Sequence, residues 1–185
     1  STKEAVVIDP GDDADRILMA LAKSGLKVKY LINTHGHFDH VGANKRMKEA
    51  TGADIAIHAA DEPMLMELSG SARMFGLSAE NSPPADLLLK DGDTVVFGDI
   101  TLTVIHTPGH SPGGICLYTA GHLFAGDTLF AGSIGRTDLP GGDYDTLISG
   151  IKQKLLVLDE KTVVYTGHGP ETTIGNEKVM NPFLR

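Results

Sequence analysis

At 185 residues the chain is long enough for one well-buried domain, and its length gives no reason to expect two. Hydrophobic residues at 41% and charged residues at 22% are ordinary globular values and exclude a disordered chain. A formal charge of -8 excludes a general nucleic-acid binder, which needs a basic face, although bound cations would still leave a cleft open to an anionic substrate. In chain order, Ala5–Ile8 reads as a strand ending in Asp9-Pro10-Gly11, and Asp12–Ser24 as a helix closed by Gly25. Val28–Ile32 is a short apolar strand that runs into a histidine cluster. Val41–Ala50 has helical spacing, Asp54–Ile57 is a strand, and Glu62–Leu68 is a Met- and Leu-rich helix. Ser69–Asp86, rich in Ser, Gly, Pro and Asn, reads as a long excursion that could cover a cleft.

The pattern then changes. Thr94–Phe97, Ile100–Ile105, Gly114–Tyr118 and Leu123–Ala125 read as closely spaced strands. Gly132–Gly142 is a loop too long for a simple turn. Tyr144–Leu156 reads as a helix, Val163–Thr166 as a strand, and a short terminal segment follows. The single cysteine, Cys116, lies in the apolar run G-G-I-C-L-Y and reads as a small buried hydrophobe rather than a nucleophile. No apolar run approaches ~18 residues and the N-terminus carries no signal-peptide pattern, so the expectation is a cytoplasmic protein without membrane contact.

Seven residues able to bind metal fall in four clusters: His35, His37, Asp39 and His40 in H-G-H-F-D-H, His110 in P-G-H-S, Asp127 in A-G-D-T, and His168 in G-H-G. They hold five of the eight histidines. Three of these clusters repeat a β-rich run before Thr and a His, and a fourth ends in Asp127. Any one of these histidines alone would read as a hydrogen-bonded structural residue, and Asp127 alone as a turn residue. The joint pattern at strand ends carries the reading, because a sheet can aim such ends at one point. Imidazole and carboxylate suit zinc, iron or manganese, and seven groups exceed what one tetrahedral ion needs. The economical arrangement is two divalent ions, with zinc as the first expectation and iron or manganese as alternatives. One ion would take His35, His37 and His110; the other would take Asp39, His40 and His168; Asp127 would bridge them. A shared hydroxide, formed because metal binding lowers the pKa of water towards ~7, is then the nucleophile, with Asp39 and Asp127 as the catalytic carboxylates.

H-x-H-x-D-H followed by a separate His, Asp and His resembles the metallo-β-lactamase superfamily. The wording T-P-G-H-S-P-G-G, A-G-D-T-L-F, G-S-I-G-R-T-D-L-P-G-G-D and N-P-F-L is similar to small bacterial glyoxalase II-like hydrolases. The resemblance implies an α/β fold, a four-layer αβ/βα sandwich of two mixed sheets flanked by helices, formed as a single domain over 1–185. It also implies a ligand set that agrees with the one above. Asp9 matches a family position near the metals, where it would orient a ligand histidine or simply form a turn. Arg136 is a candidate for holding a substrate carboxylate, with a salt bridge to a nearby Asp as the plainer account. His58, His106 and His122 match no ligand position, although His106 lies close before His110.

Against the family pattern, the usual first strands and the C-terminal glutathione-binding helical domain are not found in the chain. An open sheet edge would invite pairing with a second copy as a homodimer, or poor solubility. The expected function is metal-dependent hydrolysis of a small acyl thioester or ester. The alternative is an iron-dependent persulfide dioxygenase using His35, His110 and Asp127. A metal-stabilised binding module, a β-lactamase or lactonase, and a nuclease rank below these.

Overall fold

Parallel strands cannot be joined by tight turns, so a chain that alternates apolar runs with capped helices must form crossovers. The structure, a computed structural model, describes residues 2–185 and divides into two compact units. The first runs to Leu89 and includes Val96–Thr101. It contains β1 (Glu4–Ile8), α1 (Ala14–Ser24), β2 (Lys27–Ile32), α2 (Phe38–Val41), α3 (Asn44–Thr51), β3 (Asp54–His58), α4 (Glu62–Leu65), α5 (Leu68–Met74) and β4 (Leu87–Leu89). The order is β1-β2-β3-β4 and each pairing is parallel. Among the described residues these strands pair in parallel because every connection between them is a crossover.

Asp13 caps α1 by accepting from the Arg16 N–H at 3.2 Å, and the helix ends at Gly25, whose φ of 64° suits glycine. Ile17, Leu18 and Leu21 turn inward onto a core of Val28, Leu31, Met47, Ile55 and Ile57. The helix expected over Val41–Ala50 is split into α2 and α3. The cause is local: the Ala43 N–H donates to the Gly11 carbonyl at 2.6 Å instead of to the preceding helical turn.

The second unit comprises Lys90–Val95 and Leu102–Arg185. Its elements are β5 (Thr94–Phe97) and β6 (Ile100–His106), whose hairpin tip groups with the first unit, then β7 (Ile115–Thr119), β8 (His122–Gly126), β9 (Leu129–Phe130), β10 (Ser133–Ile134), α6 (Tyr144–Gly150), β11 (Val163–Thr166), β12 (Thr172–Thr173) and α7 (Ile174–Met180). Sheet order is β12-β11-β8-β7-β6-β5, with β8 and β11 parallel and β6, β7 and β8 successively antiparallel. The fold is thus α/β, with one mixed sheet and helices against both. After α6 the helix widens into a π-helical turn over Ile151–Leu155. Residues four apart drift one way around an α-helix and the other way around a wider π turn, so Leu147, Ile151 and Leu155 all stay buried in the core. Cys116 belongs to the same core, and burial pushes its thiol up to about 11, so it stays protonated at neutral pH. Among the described residues no helix is long and apolar enough to cross a membrane.

Glu177 on α7 is fully buried and organises the chain's end. Its carboxylate accepts from Thr172 Oγ1 at 2.7 Å, Asn176 Nδ2 at 2.9 Å, Asn181 Nδ2 at 2.8 Å and the Gly132 N–H at 2.8 Å. Burial pushes this carboxyl up, but the hydrogen bonds together outweigh it and hold the group below the ordinary glutamate value. A depressed carboxylate stabilises the fold above the unfolded-state pKa of roughly 4.3, and that contribution is lost as pH falls through the folded value. Glu177→Gln is therefore expected to be less stable than wild type at pH 7 by about 1–3 kcal/mol, the gap closing on acidification below roughly pH 4. Parallel denaturant melts at pH 7 and pH 3.5 measure it; a gap that widens in acid contradicts the assignment.

Candidate metal centre

In the first unit the candidate ligands follow β2. Because Ile8 and Ile32 are in register at the ends of two parallel strands, Asp9 and the Asn33–Thr34–His35 turn emerge side by side. Ligands commonly gather at the carboxyl ends of such strands. Asp9 has a φ of 48°, a strained conformation for a side chain that non-glycine residues adopt mainly where function or packing demands it. Here it aims both carboxylate oxygens inward. Oδ1 accepts the Thr34 N–H at 2.7 Å, while Oδ2 accepts Thr34 Oγ1 at 2.6 Å and lies 3.0 Å from His40 Nδ1. Asp9 thereby fixes the ring of His40 and leaves its Nε2 to face outward from that contact.

The three imidazoles converge. The ring centroids of His35 and His37 are 4.7 Å apart and those of His35 and His40 are 4.1 Å apart. Ligand-capable atoms of Asp9, His35 and His40 all lie within 4.8 Å of one another. His35 and His40 are buried, whereas Asp39 is exposed, with its Oδ2 3.8 Å from His40 Nε2. Phe38, between His37 and Asp39, packs its ring against Phe75 at 5.6 Å, so the residue that ends α5, within the expected excursion, leans on the ligand loop.

In the second unit, β6 and β8 both run antiparallel to β7, and β11 runs parallel to β8. All three therefore point the same way and release their following loops at one end of the sheet. Those loops carry His110, Asp127 and His168. Asp127 Oδ2 lies 3.5 Å from His110 Nε2 and 3.6 Å from His168 Nε2, a carboxylate set between two imidazoles. His110 Nδ1 is 2.8 Å from the Arg136 carbonyl, which selects the tautomer that leaves Nε2 free of hydrogen and turned towards Asp127. His168 is more exposed, and the Gly167 N–H donates to the Gly126 carbonyl at 2.8 Å, tying its loop to β8.

The remaining histidines are placed otherwise. His106 Nε2 meets the Pro112 carbonyl at 3.0 Å and braces the His110 loop, His122 Nδ1 meets the Tyr165 hydroxyl at 3.2 Å, and His58 Nδ1 accepts the Ala60 N–H at 3.2 Å. Arg136 Nε and Nη2 each donate to Asp138 at 2.7 Å, and this pairing holds the Asp138 carboxyl down to about 2. The Arg136 fork is engaged within the chain, and it is the backbone carbonyl of this residue that reaches His110. Sequence reading gave no role to Thr34 or Asp61. Both make their contacts with segments 25 residues away, and Asp61 reads in sequence only as an ordinary residue at a helix start.

The sequence profile of the metallo-β-lactamase superfamily matches residues 1–168. The chain belongs to the metallo-β-lactamase superfamily. It is 41% identical over 191 residues to a protein of Haemophilus influenzae named hydroxyacylglutathione hydrolase GloC, covering 98% of this chain and 88% of that one. Among solved structures it is similar to the BLEG-1 B3 metallo-β-lactamase, with a TM-score of 0.92, 43% identity and coverage of 98% and 89%. TTHA1623, solved in a di-iron-bound form, gives a TM-score of 0.89, 41% identity and coverage of 96% and 88%. Family and relatives place the chain among metal-dependent hydrolases with a His/Asp metal-binding cluster. The donor set fits such a role by its own chemistry: the Nδ1 atoms of His40 and His110 are spent on a carboxylate and a carbonyl, which presents Nε2 for coordination, as second partners of ligand histidines do.

Proposed function

We propose that this metallo-β-lactamase superfamily member hydrolyses an acyl thioester or ester in the manner of glyoxalase II, at a centre of two divalent ions, zinc first. The observation that carries this reading is the position of Asp127 Oδ2, within 3.6 Å of both His110 and His168 Nε2, where a bridging carboxylate belongs. In this reading His35, His37 and His110 hold one ion and Asp39, His40 and His168 the other. Bound ions of this kind supply Lewis acidity for a carbonyl and bring the pKa of water to about 7.

The chain's own residues set the geometry. Asp9 fixes His40, the Arg136 carbonyl fixes His110, and Asp39, beside His40, would complete the second ligand set. The name of the H. influenzae relative supports a hydroxyacyl thioester of glutathione as the first substrate to try, and the di-iron neighbour supports iron as the second metal. The likeness to BLEG-1 supports a β-lactam as the competing substrate.

Metal content per chain, measured beside turnover of S-lactoylglutathione and a chromogenic cephalosporin, tests the proposal. The expected result is two ions with thioester turnover well above β-lactam turnover. The reverse preference would replace the substrate class. About one iron per chain, with oxygen uptake on glutathione persulfide and no hydrolysis, would replace the reaction.

A further inference from the structure

The H-G-H tripeptide of the ligand loop rests on a carboxylate that the proposed chemistry leaves unused. Asp61 is fully buried, and its Oδ2 accepts the Gly36 N–H at 3.1 Å. It occupies the cap position of α4, yet its side chain makes no cap hydrogen bond there. Its backbone is equally fixed, its N–H donating to the His58 carbonyl and its carbonyl accepting from Met64 N, each at 3.0 Å. Gly36 sits directly on this turn: a Cβ there would lie 2.7 Å from Met64 Cβ and 3.1 Å from the Asp61 carbonyl oxygen. The ligand loop is thus held at two points, Thr34 by Asp9 and Gly36 by Asp61, with the two imidazoles on either side of the second.

From this geometry we infer that Asp61 is a positioning residue, whose hydrogen bond to the Gly36 N–H presets His35 and His37 to clasp one ion. It rests on the metal reading above but not on the choice of substrate. A hydrogen bond from a peptide N–H to a carboxylate is roughly twice as strong as a neutral one, and it fixes the peptide that links the two ligands. Without it the Gly36 peptide can rotate, and each rotation moves both rings. His40, whose ring is fixed by Asp9 instead, keeps its place.

The test is a titration of the metal-free full chain with zinc against a chromophoric chelator, repeated with cobalt to read the ligand field. Wild type, Asp61→Asn, Asp61→Ala and His37→Ala are compared, with a thermal melt of each metal-free protein. Asp61→Ala is expected to weaken one ion about 10–100-fold, the same ion that His37→Ala weakens, with the second unchanged. Asp61→Asn, whose amide oxygen still accepts, should lose less and keep a cobalt spectrum closer to wild type. Unchanged affinity in both Asp61 variants overturns the inference. So does weakening of both ions in step with a fall in melting temperature, which marks a purely structural role. If the alanine variant does not fold, the asparagine variant decides by the same two readings. A wild type that binds its ions and spares thioesters ends the substrate reading alone and leaves this inference standing.

Discussion

Asp127→Ala is expected to lower turnover by at least ~1,000-fold while the fold persists. The carboxylate lies at the end of β8 between two imidazoles, and alanine leaves both without the group that would couple them. On the proposed two-ion centre, metal content should fall from two ions to one or fewer, since a bridging carboxylate would serve both. The loss is local, because Asp127 is at the sheet's end and the core beneath it is built by Leu123, Ala125 and Leu129. Asp127→Asn keeps the shape but offers one acceptor oxygen in place of two and no charge, so it should behave nearly as badly. Circular dichroism and a metal-free melt establish the fold, and kcat on the working substrate reads the chemistry. Wild-type turnover in either variant would remove Asp127 from the centre.

The candidate ligands were legible because their chemistry is stated by residue type, and their grouping within each unit because they follow apolar runs that read as strands. Val163–Thr166 has the bounds expected of it, and Thr166 stands in register with Gly126, which is why the following His168 and Asp127 come off together. What was not legible depends on approaches between distant segments. The short strand β4 hides in Leu87–Leu89, where two of three leucines are exposed and no alternation marks a sheet edge. Helix α7 hides because Gly175 argues against a helix. The glycine suits a close approach: a Cβ there would lie 3.0 Å from the Glu160 carbonyl oxygen, and its N–H donates to the same oxygen at 2.9 Å. Asp9 is the intermediate case. The sequence left two roles open for it, orienting a ligand histidine or forming a turn, and its left-handed backbone points the carboxylate at Thr34 and His40.

Gly135→Ala is expected to damage activity severely, though less than loss of Asp127 and although residue 135 carries no chemistry. A Cβ at this position would lie 1.8 Å from the Asp127 carbonyl oxygen and 3.2 Å from His110 Cβ. The first neighbour is backbone, so no rotamer change relieves it. The segment cannot simply lift away, because Ile134 is paired with Leu129 in the β9–β10 hairpin and the Gly135 N–H donates to the Thr128 carbonyl at 3.3 Å. Relief must open the space between residues 127 and 135, and two distances then lengthen: Asp127 Oδ2 to His110 Nε2, and His110 Nδ1 to the Arg136 carbonyl. A misplacement of about 1 Å costs on the order of 100-fold in rate, and overpacking of this severity about 3 kcal/mol in stability. Gly132→Ala is the matched control. It has no neighbour within 4 Å and a φ of 71°, so it should cost only the strain of a left-handed alanine, about 1 kcal/mol, and keep near-normal kcat. Equal activity in the two variants would mean that residue 135 does not set the distance between Asp127 and His110. A collapse confined to Gly135→Ala, with reduced metal content, would show that the spacing between the two chain segments is what the centre depends on.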